Sequence, residues 1–244
     1  MNKILDVYNN KDDIYNFILL EGGHEFISPD ITRLQFLYLK SSFYQSIKFT
    51  KEIINKLTRF RYFNELDRTI GLHYRDIVND FDKQDIDACK SLNFVENSPI
   101  EKFENIINRL KNIDKYDHIL VVSNSKKILP ILKDKFRNKN FISYEPDNLD
   151  RNSEEGMINS IVEFLLLSKT NLIIGTYYSS FSDEAAFFNL VSKITPINNE
   201  LTENIKETIN NYHCINYSYI DGIAALNYND QMILRYLGNG VFNN

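Results

Sequence analysis

The feature that most constrains the fold of this 244-residue chain is an alternation of short apolar runs with amphipathic segments, which begins at about Thr69. The apolar runs predict strands over Thr69–Tyr74, Asp117–Val122, Asn140–Tyr144 and Asn171–Ile174. Helical spacing between the runs predicts helices over Pro99–Lys111, from Ser125, from Ser153 and from about Ser182. Strands that alternate with helices indicate βαβ units, and therefore a parallel sheet with helices on both faces.

The two ends of the chain have different patterns. Residues 1–60 are mostly helical in pattern, and we expect them to form a reduced N-terminal region beside a Rossmann-like domain of residues 61–244. Near the other end, Leu201–Asn211 reads as a polar helix. The segment YSYIDGIAALNYND is open between a strand with a turn and a pair of helices.

Composition excludes several classes of protein. The formal net charge of −5 does not fit a general nucleic-acid or membrane-surface binder, so we expect neither as a partner. No run approaches the roughly 18 apolar residues of a membrane span, and the N-terminus lacks the apolar core of a signal peptide. Cys89 and Cys214 lie far apart and outside any CxxC motif, which predicts a reduced, cytoplasmic protein without a disulfide framework.

Polar residues follow three predicted strands, where ligands of parallel sheets bind. In the first stretch, IGLHYRD, His73 and Arg75 share one face near the strand end. The arginine fork suits a phosphate or carboxylate, and the alternative is a structural ion pair with Asp76, Asp80 or Asp82. In the second stretch, VVSNSKK, Asn124 either caps a helix or reads a base or ribose edge.

The third stretch, NLIIGTYYSSFSDEAAFF, runs from a strand into the start of a helix. Backbone N–H groups and the positive end of the helix dipole make an anion site there. Four hydroxyls add donors: Thr176, Ser179, Ser180 and Ser182. Helix capping is the alternative, and Asp183 and Glu184 would repel a phosphate directly beside them.

Other common motifs are absent from the sequence. It contains no GxGxxG, Walker P-loop, HExxH or GxSxG pattern. The four histidines are scattered, and no cluster has the spacing of metal ligands. The sequence therefore predicts neither a metal nor a bound cofactor.

Taken in order, the three stretches resemble motifs of the fucosyltransferase superfamily, which holds core, nodulation and protein O-fucosyltransferases. IGLHYRD resembles the first motif, HILVVSNSKKILPILKDKF the second, and LLLSKTNLIIGTYYSSFSDEAAFF the third. The segment SSFYQSIKFTKEIINKL also resembles the helix before the first motif. The resemblance covers roughly residues 40 to 195 and concerns the half that binds the nucleotide sugar.

The resemblance implies a GT-B-type fold and an inverting, metal-independent transfer of fucose from GDP-fucose to a glycan or protein acceptor. It implies that Arg75 grips the β-phosphate of the donor and that His73 lies near the nucleotide. The segment Ser179, Ser180, Phe181 and Ser182 would hold the phosphates. Without a metal, an arginine and a helix N-terminus must stabilise the departing diphosphate. The acceptor, the linkage and the oligomeric state are not indicated.

Three departures from the family pattern leave alternatives open. Val78 replaces an acidic residue, and Asn124 takes the place of an aspartate that contacts the base. The N-terminal region is shorter than a full lobe, and the sequence selects no general base among Glu21, Glu25 and Asp30. The alternatives are a non-catalytic or degenerate GDP-sugar-binding module, and a Rossmann-like domain for another nucleotide.

Overall fold

A seven-stranded sheet forms the centre of the described part of the chain. The structure is a computed structural model that describes residues 33–76, 98–110, 113–146, 148, 150, 152–177, 179–189, 191–196, 217–220 and 223–226. The strands are β1 (Thr69–Tyr74), β2 (His118–Ser123), β3 (Phe141–Ile142), β4 (Leu172–Gly175), β5 (Ser192–Pro196), β6 (Tyr217–Ile220) and β7 (Ile223–Leu226). The helices are α1 (Arg33–Ser46), α2 (Lys51–Arg59), α3 (Ile100–Arg109), α4 (Ile128–Lys135), α5 (Glu154–Ser168) and α6 (Ser180–Phe188). Short 3₁₀ turns span Phe63–Arg68 and Ile113–Lys115.

The strand order is β3-β2-β1-β4-β5-β7-β6. The first five strands in this order are parallel, and β7 and β6 add an antiparallel hairpin at the edge. The predicted α/β fold, a Rossmann-like parallel sheet with helices around it, is confirmed. The chain winds outward from β1 through β2 to β3 and then returns to place β4 on the other side of β1. The carboxyl ends of β1 and β4 therefore form a topological switch point.

Both faces of the sheet are covered by helices. On one face, α2, α5 and α6 pack over side chains that include Leu120, Val122 and Ile173. On the other face, α3 and α4 pack over side chains that include Leu72, Val121 and Ile174. Every residue of β1 is buried, as expected for a parallel strand in a sheet that helices cover on both faces.

Most element predictions hold, with shifted ends. The predicted strand Thr69–Tyr74 coincides with β1, and the YSYI and IAAL segments form β6 and β7. α6 begins at Ser180 rather than Ser182, because Ser179 is its N-cap residue. β5 occupies a stretch in which the sequence pattern indicates no strand.

Helix starts explain two further differences. α4 begins at Ile128 rather than Ser125, because a turn at residues 126–127 precedes it. The Ser153 hydroxyl caps α5 by accepting from the Gly156 N–H at 3.0 Å. In the resulting helix Met157 is half exposed, although the apolar spacing that starts at Ser153 predicts it on the inner face with Ile161 and Leu165.

The two N-terminal helices pack onto the sheet domain. Ile53 and Leu57 of α2 are buried in the core with α5, and the Tyr44 ring of α1 lies 5.8 Å from the Phe187 ring of α6. The division into residues 1–60 and 61–244 stays a prediction. Several sequence predictions lie outside the described residues: the helix Leu201–Asn211 and those on Glu21, Glu25, Asp30, Val78, Cys89 and Cys214.

Candidate functional site

The candidate site lies at the switch point between β1 and β4. In the sheet register His73 faces Gly175, so the residues that follow the two strands meet at one edge. The Thr176 hydroxyl joins the two ends: it donates to the His73 carbonyl at 3.0 Å and accepts from the Arg75 N–H at 2.9 Å. Thr176 is fully buried, so its side chain fixes the backbone from which Arg75 projects.

A cleft at this edge brings four of the sequence-predicted residues together. Its walls include His73, Arg75, Asn124 and Phe181, with four further lining residues: Val122, Ser123, Ser160 and Glu163. The His73 and Phe181 rings are stacked, with centroids 5.1 Å apart and planes inclined by 25°. The other predicted residues, Thr176, Ser179, Ser180 and Ser182, are not among the lining residues of this cleft.

Asn124 links the ends of β1 and β2. Its side-chain oxygen accepts from the Asp76 N–H at 2.8 Å, and its amide nitrogen donates to the Asp76 carbonyl at 2.9 Å. Both polar atoms of the side chain therefore bond one stretch of backbone, which positions the segment after Arg75. A contact of Asn124 with a base or ribose stays a prediction.

Tyr74 lies between His73 and Arg75 in sequence but on the opposite face of β1. Its ring meets the Phe103 ring edge-on at 5.3 Å. Burial, with the negative charges of Asp76 and Glu101, raises the pKa of Tyr74 to about 12. The phenol therefore stays neutral at physiological pH and belongs to the core rather than to the cleft.

The start of α6 is built from serines with different environments. Ser179 is the N-cap residue, but its hydroxyl makes no capping hydrogen bond. The buried Ser182 hydroxyl donates to the Ser179 carbonyl at 3.2 Å, and Ser180 is exposed. A Cβ on Gly175 would lie 2.5 Å from the Ser182 oxygen, so glycine is needed for β4 to approach the helix.

The two acidic residues in this turn have cationic partners. Asp183 forms a buried ion pair with Lys193 of β5. Glu184 accepts from Lys40 at 2.8 Å and from the Tyr44 hydroxyl, both on α1. The negative charges of Asp183 and Glu184, which argue against an anion at this turn, are therefore compensated by Lys193 of β5 and Lys40 of α1.

A larger cavity adjoins the cleft at the carboxyl ends of β2 and β3. Its volume is about 270 Å³, and Ser123 and Glu163 line both spaces. Its other walls come from β2 (Val121), from the turn before α4 and the start of α4 (Ser125, Lys126, Leu129 and Pro130), and from the segment after β3 (Ser143, Tyr144, Glu145 and Pro146). The cleft and the cavity are thus two parts of one depression along the strand ends.

Glu163 is the functional candidate that sequence reasoning missed. It is 8% exposed and lies on the inward face of α5 beside Val162. A charged residue inside VEFLLLS, an otherwise apolar helical run, is the signal that could have identified it. A buried carboxylate between the cleft and the cavity can accept hydrogen bonds from a ligand's N–H or O–H groups.

Other features can be reported for the described part of the chain. Among these residues no group of three or more His, Cys, Asp or Glu side chains is arranged to hold a metal ion. No described helix is long and apolar enough to cross a membrane. The expected absence of a metal and of a cofactor from the reaction stays a prediction.

The fold and the edge site define a Rossmann-like domain with a depression at its switch point. No protein-family model matches the chain, and no curated protein matches it in sequence. Solved structures do match. POFUT1 in complex with GDP-fucose has a TM-score of 0.43 at 12% identity, and the match covers 62% of this chain and 45% of that chain. The NodZ alpha-1,6-fucosyltransferase soaked with GDP-fucose has a TM-score of 0.40 at 18% identity, over 62% of this chain and 46% of that chain.

A mutant of Arabidopsis thaliana FUT1 in complex with GDP also matches, with a TM-score of 0.38 at 16% identity, over 63% of this chain and 35% of that chain. The matches thus span less than half the length of each of these proteins. The likeness is one of fold alone.

Proposed function

We propose that this chain is a glycosyltransferase that binds a GDP-sugar, with GDP-fucose as the first candidate, and transfers the sugar to a glycan or protein acceptor. The observation that carries the proposal is the placement of Arg75: it follows β1, the middle one of the five parallel strands, lines the cleft, and lies at the switch point between β1 and β4. The three motifs of the resemblance converge on this edge.

The diphosphate of the donor would lie in the cleft. There the guanidinium of Arg75 can bind two phosphate oxygens at once, and the amino end of α6 supplies N–H donors and a favourable dipole. The attraction of Arg75 and that of the amino end of α6 both strengthen as the bond between the sugar and the β-phosphate breaks and negative charge collects on GDP. Interactions that strengthen in this way lower the barrier to transfer. Transfer would proceed with inversion and without a metal, in a GT-B arrangement.

The nucleoside would lie in the adjoining cavity. The diphosphate would occupy the switch point between β1 and β4. The base would then lie to the side of β1 on which β2 and β3 end, where the cavity is open. The Glu163 carboxylate, between the two spaces, would accept from N–H groups of guanine, which presents such donors on one edge. Uracil and adenine present different edges, so this contact favours GDP-sugars over UDP-sugars and NAD.

A non-catalytic GDP-sugar-binding module is the second candidate. Glu163 is the one carboxylate among the described residues that line the cleft, and the proposal commits it to the nucleoside. The described cleft then offers no further carboxylate to activate an acceptor hydroxyl. Binding of GDP without transfer to any acceptor would favour this second candidate.

Thermal unfolding with a nucleotide panel tests the binding proposal. GDP and GDP-fucose at about 100 times Kd should stabilise the chain by about 2.7 kcal/mol, which is roughly 5–10 °C for a domain of this size. GDP-mannose, UDP-sugars and NAD complete the panel. No response to any GDP compound would reject both candidate functions.

Variants then test the role of Arg75. Arg75→Ala should weaken GDP binding by roughly 10- to 100-fold, since hydrogen bonds to charged groups contribute about 1.5–3 kcal/mol. Release of GDP from GDP-fucose should fall further in this variant and should not respond to EDTA. Arg137→Ala is the matched control, because Arg137 is an exposed arginine paired with Asp134 on the surface. Hydrolysis that continues unchanged in Arg75→Ala would refute the assignment.

A further inference from the structure

A buried asparagine that lines neither the cleft nor the cavity hydrogen-bonds Tyr144, one of the residues that line the cavity. Asn159 of α5 is 1% exposed, and its side chain makes three hydrogen bonds to three separate places. Its oxygen accepts from the Tyr144 hydroxyl at 3.1 Å and from Lys56 of α2 at 3.2 Å. Its nitrogen donates to the Asn148 carbonyl at 3.0 Å.

These partners fix the orientation of the Asn159 amide. A lysine ammonium can only donate, and a backbone carbonyl can only accept, so the oxygen must face Lys56 and the nitrogen must face Asn148. The Tyr144 hydroxyl, which meets the same oxygen, is then the donor in its hydrogen bond. A flipped amide would lose its hydrogen bonds with Lys56 and Asn148, whereas the Tyr144 hydroxyl could still accept from it.

The clamped residue, Tyr144, borders the cavity. It follows β3, and its ring meets the Phe60 ring edge-on at 6.4 Å. The ring is therefore held at two points, at its hydroxyl by Asn159 and at its side by Phe60. An aromatic side chain held in this way can form a preset wall for a planar heterocycle, because little rotamer freedom is lost on binding.

We propose that Tyr144 is the wall against which the base of the nucleotide packs, and that Asn159 is the positioning residue that holds it. The inference rests on the proposed function, which places the nucleoside in this cavity. It adds a division of the site: Arg75 and the start of α6 bind the diphosphate, whereas Tyr144 and Asn159 affect only ligands that carry a base.

The test compares the affinities of GDP and of inorganic pyrophosphate, measured by calorimetry on the full chain. Tyr144→Leu should weaken GDP binding on the order of tenfold, the scale of base–aromatic contacts, and leave pyrophosphate binding within twofold. Asn159→Leu should reproduce the GDP effect. Tyr144→Phe keeps the ring and the fold but loses the hydroxyl, so it should show a smaller loss of the same kind.

A double-mutant cycle separates positioning from a general structural role. If Asn159 acts through Tyr144, the loss of GDP affinity in Tyr144→Leu/Asn159→Leu should equal that of Tyr144→Leu alone. Lys56→Met is the matched control, because it removes another partner of the same amide and leaves the Tyr144 hydrogen bond in place. It should bind GDP as the wild type does.

The outcomes distinguish the two levels of the proposal. A wild-type chain that binds neither GDP nor pyrophosphate would reject the proposed function and this inference together. A chain that binds both, with GDP affinity unaffected by Tyr144→Leu, would overturn only the inference. Equal losses for GDP and pyrophosphate in the Tyr144 and Asn159 variants would also overturn it.

Discussion

The buried ion pair between Lys193 and Asp183 gives a sharp test of how the start of α6 is built. The side chains are 2% and 7% exposed, respectively, so each charge is almost fully removed from water. Lys193→Met would leave the carboxylate without the ammonium that faces it. Breaking a buried pair in this way costs about 3–5 kcal/mol, a large part of the 5–15 kcal/mol that typically stabilises a domain.

The companion variant removes both charges. Asp183→Leu/Lys193→Met replaces the pair with apolar side chains, an exchange that is often neutral for stability. We therefore expect the double variant to recover most of the free energy of unfolding that Lys193→Met loses. Urea unfolding measures this directly, provided that the slope of the free energy against urea is the same in all variants.

Binding of pyrophosphate supplies the functional half of the test. In Lys193→Met the first turn of α6 gains a net negative charge, which weakens its attraction for an anion. The double variant carries no such charge and should bind pyrophosphate like the wild type. Equal destabilisation in the single and double variants would refute the electrostatic reasoning, because a loss of packing alone would then account for both.

Two further predictions concern β1. Thr176→Val should lower the free energy of unfolding by about 1–3 kcal/mol and weaken GDP binding, because the Arg75 N–H and the His73 carbonyl lose a shared partner. Thr176→Ser keeps the hydroxyl and should behave as the wild type in the same urea and calorimetry experiments. Raising the pH should cost stability through Tyr74, since the unfolded chain releases this proton near pH 10 and the folded chain only near 12. This contribution to the free energy of unfolding is complete below pH 10 and is lost by pH 12. Across this window the wild type should therefore lose on the order of 2 kcal/mol more stability than Tyr74→Phe in alkaline unfolding experiments. Equal losses in the two proteins would contradict the assignment.

The parallel sheet could be predicted from the sequence because its strands are buried on both faces. A strand of this kind appears as an uninterrupted apolar run, as in residues 119–122 of β2, where every residue is buried. β5 escaped prediction because Lys193 is its second residue and interrupts the apolar pattern. A lysine normally indicates an exposed position, and only its distant partner Asp183 makes burial tolerable.

The candidate site was predicted in part, for a similar reason. His73 and Arg75 could be placed at a strand end because they follow an apolar run, and the topology then brings them beside Phe181. Glu163 and Tyr144 lie in a helix and a connecting segment with no binding motif, and they reach the depression only through packing across the sheet. No local pattern reports this contact for Tyr144, and the only local sign of Glu163 is its charge inside an apolar helical run.

Hydroxyls and amides at strand ends are poor guides to ligand contacts, because the fold itself needs them. Parallel strands end with backbone groups that have lost their ladder partners, and these groups must be satisfied at the edge where ligands bind. Thr176 and Asn124 satisfy them for β1, with two hydrogen bonds each. The guanidinium of Arg75 and the carboxylate of Glu163 are charged side chains that line the cleft, so they are the stronger candidates for recognising a ligand. Single substitutions can separate the two groups: removing a bridge should lower stability and binding together, whereas Arg75→Ala or Glu163→Gln should lower nucleotide binding far more than stability.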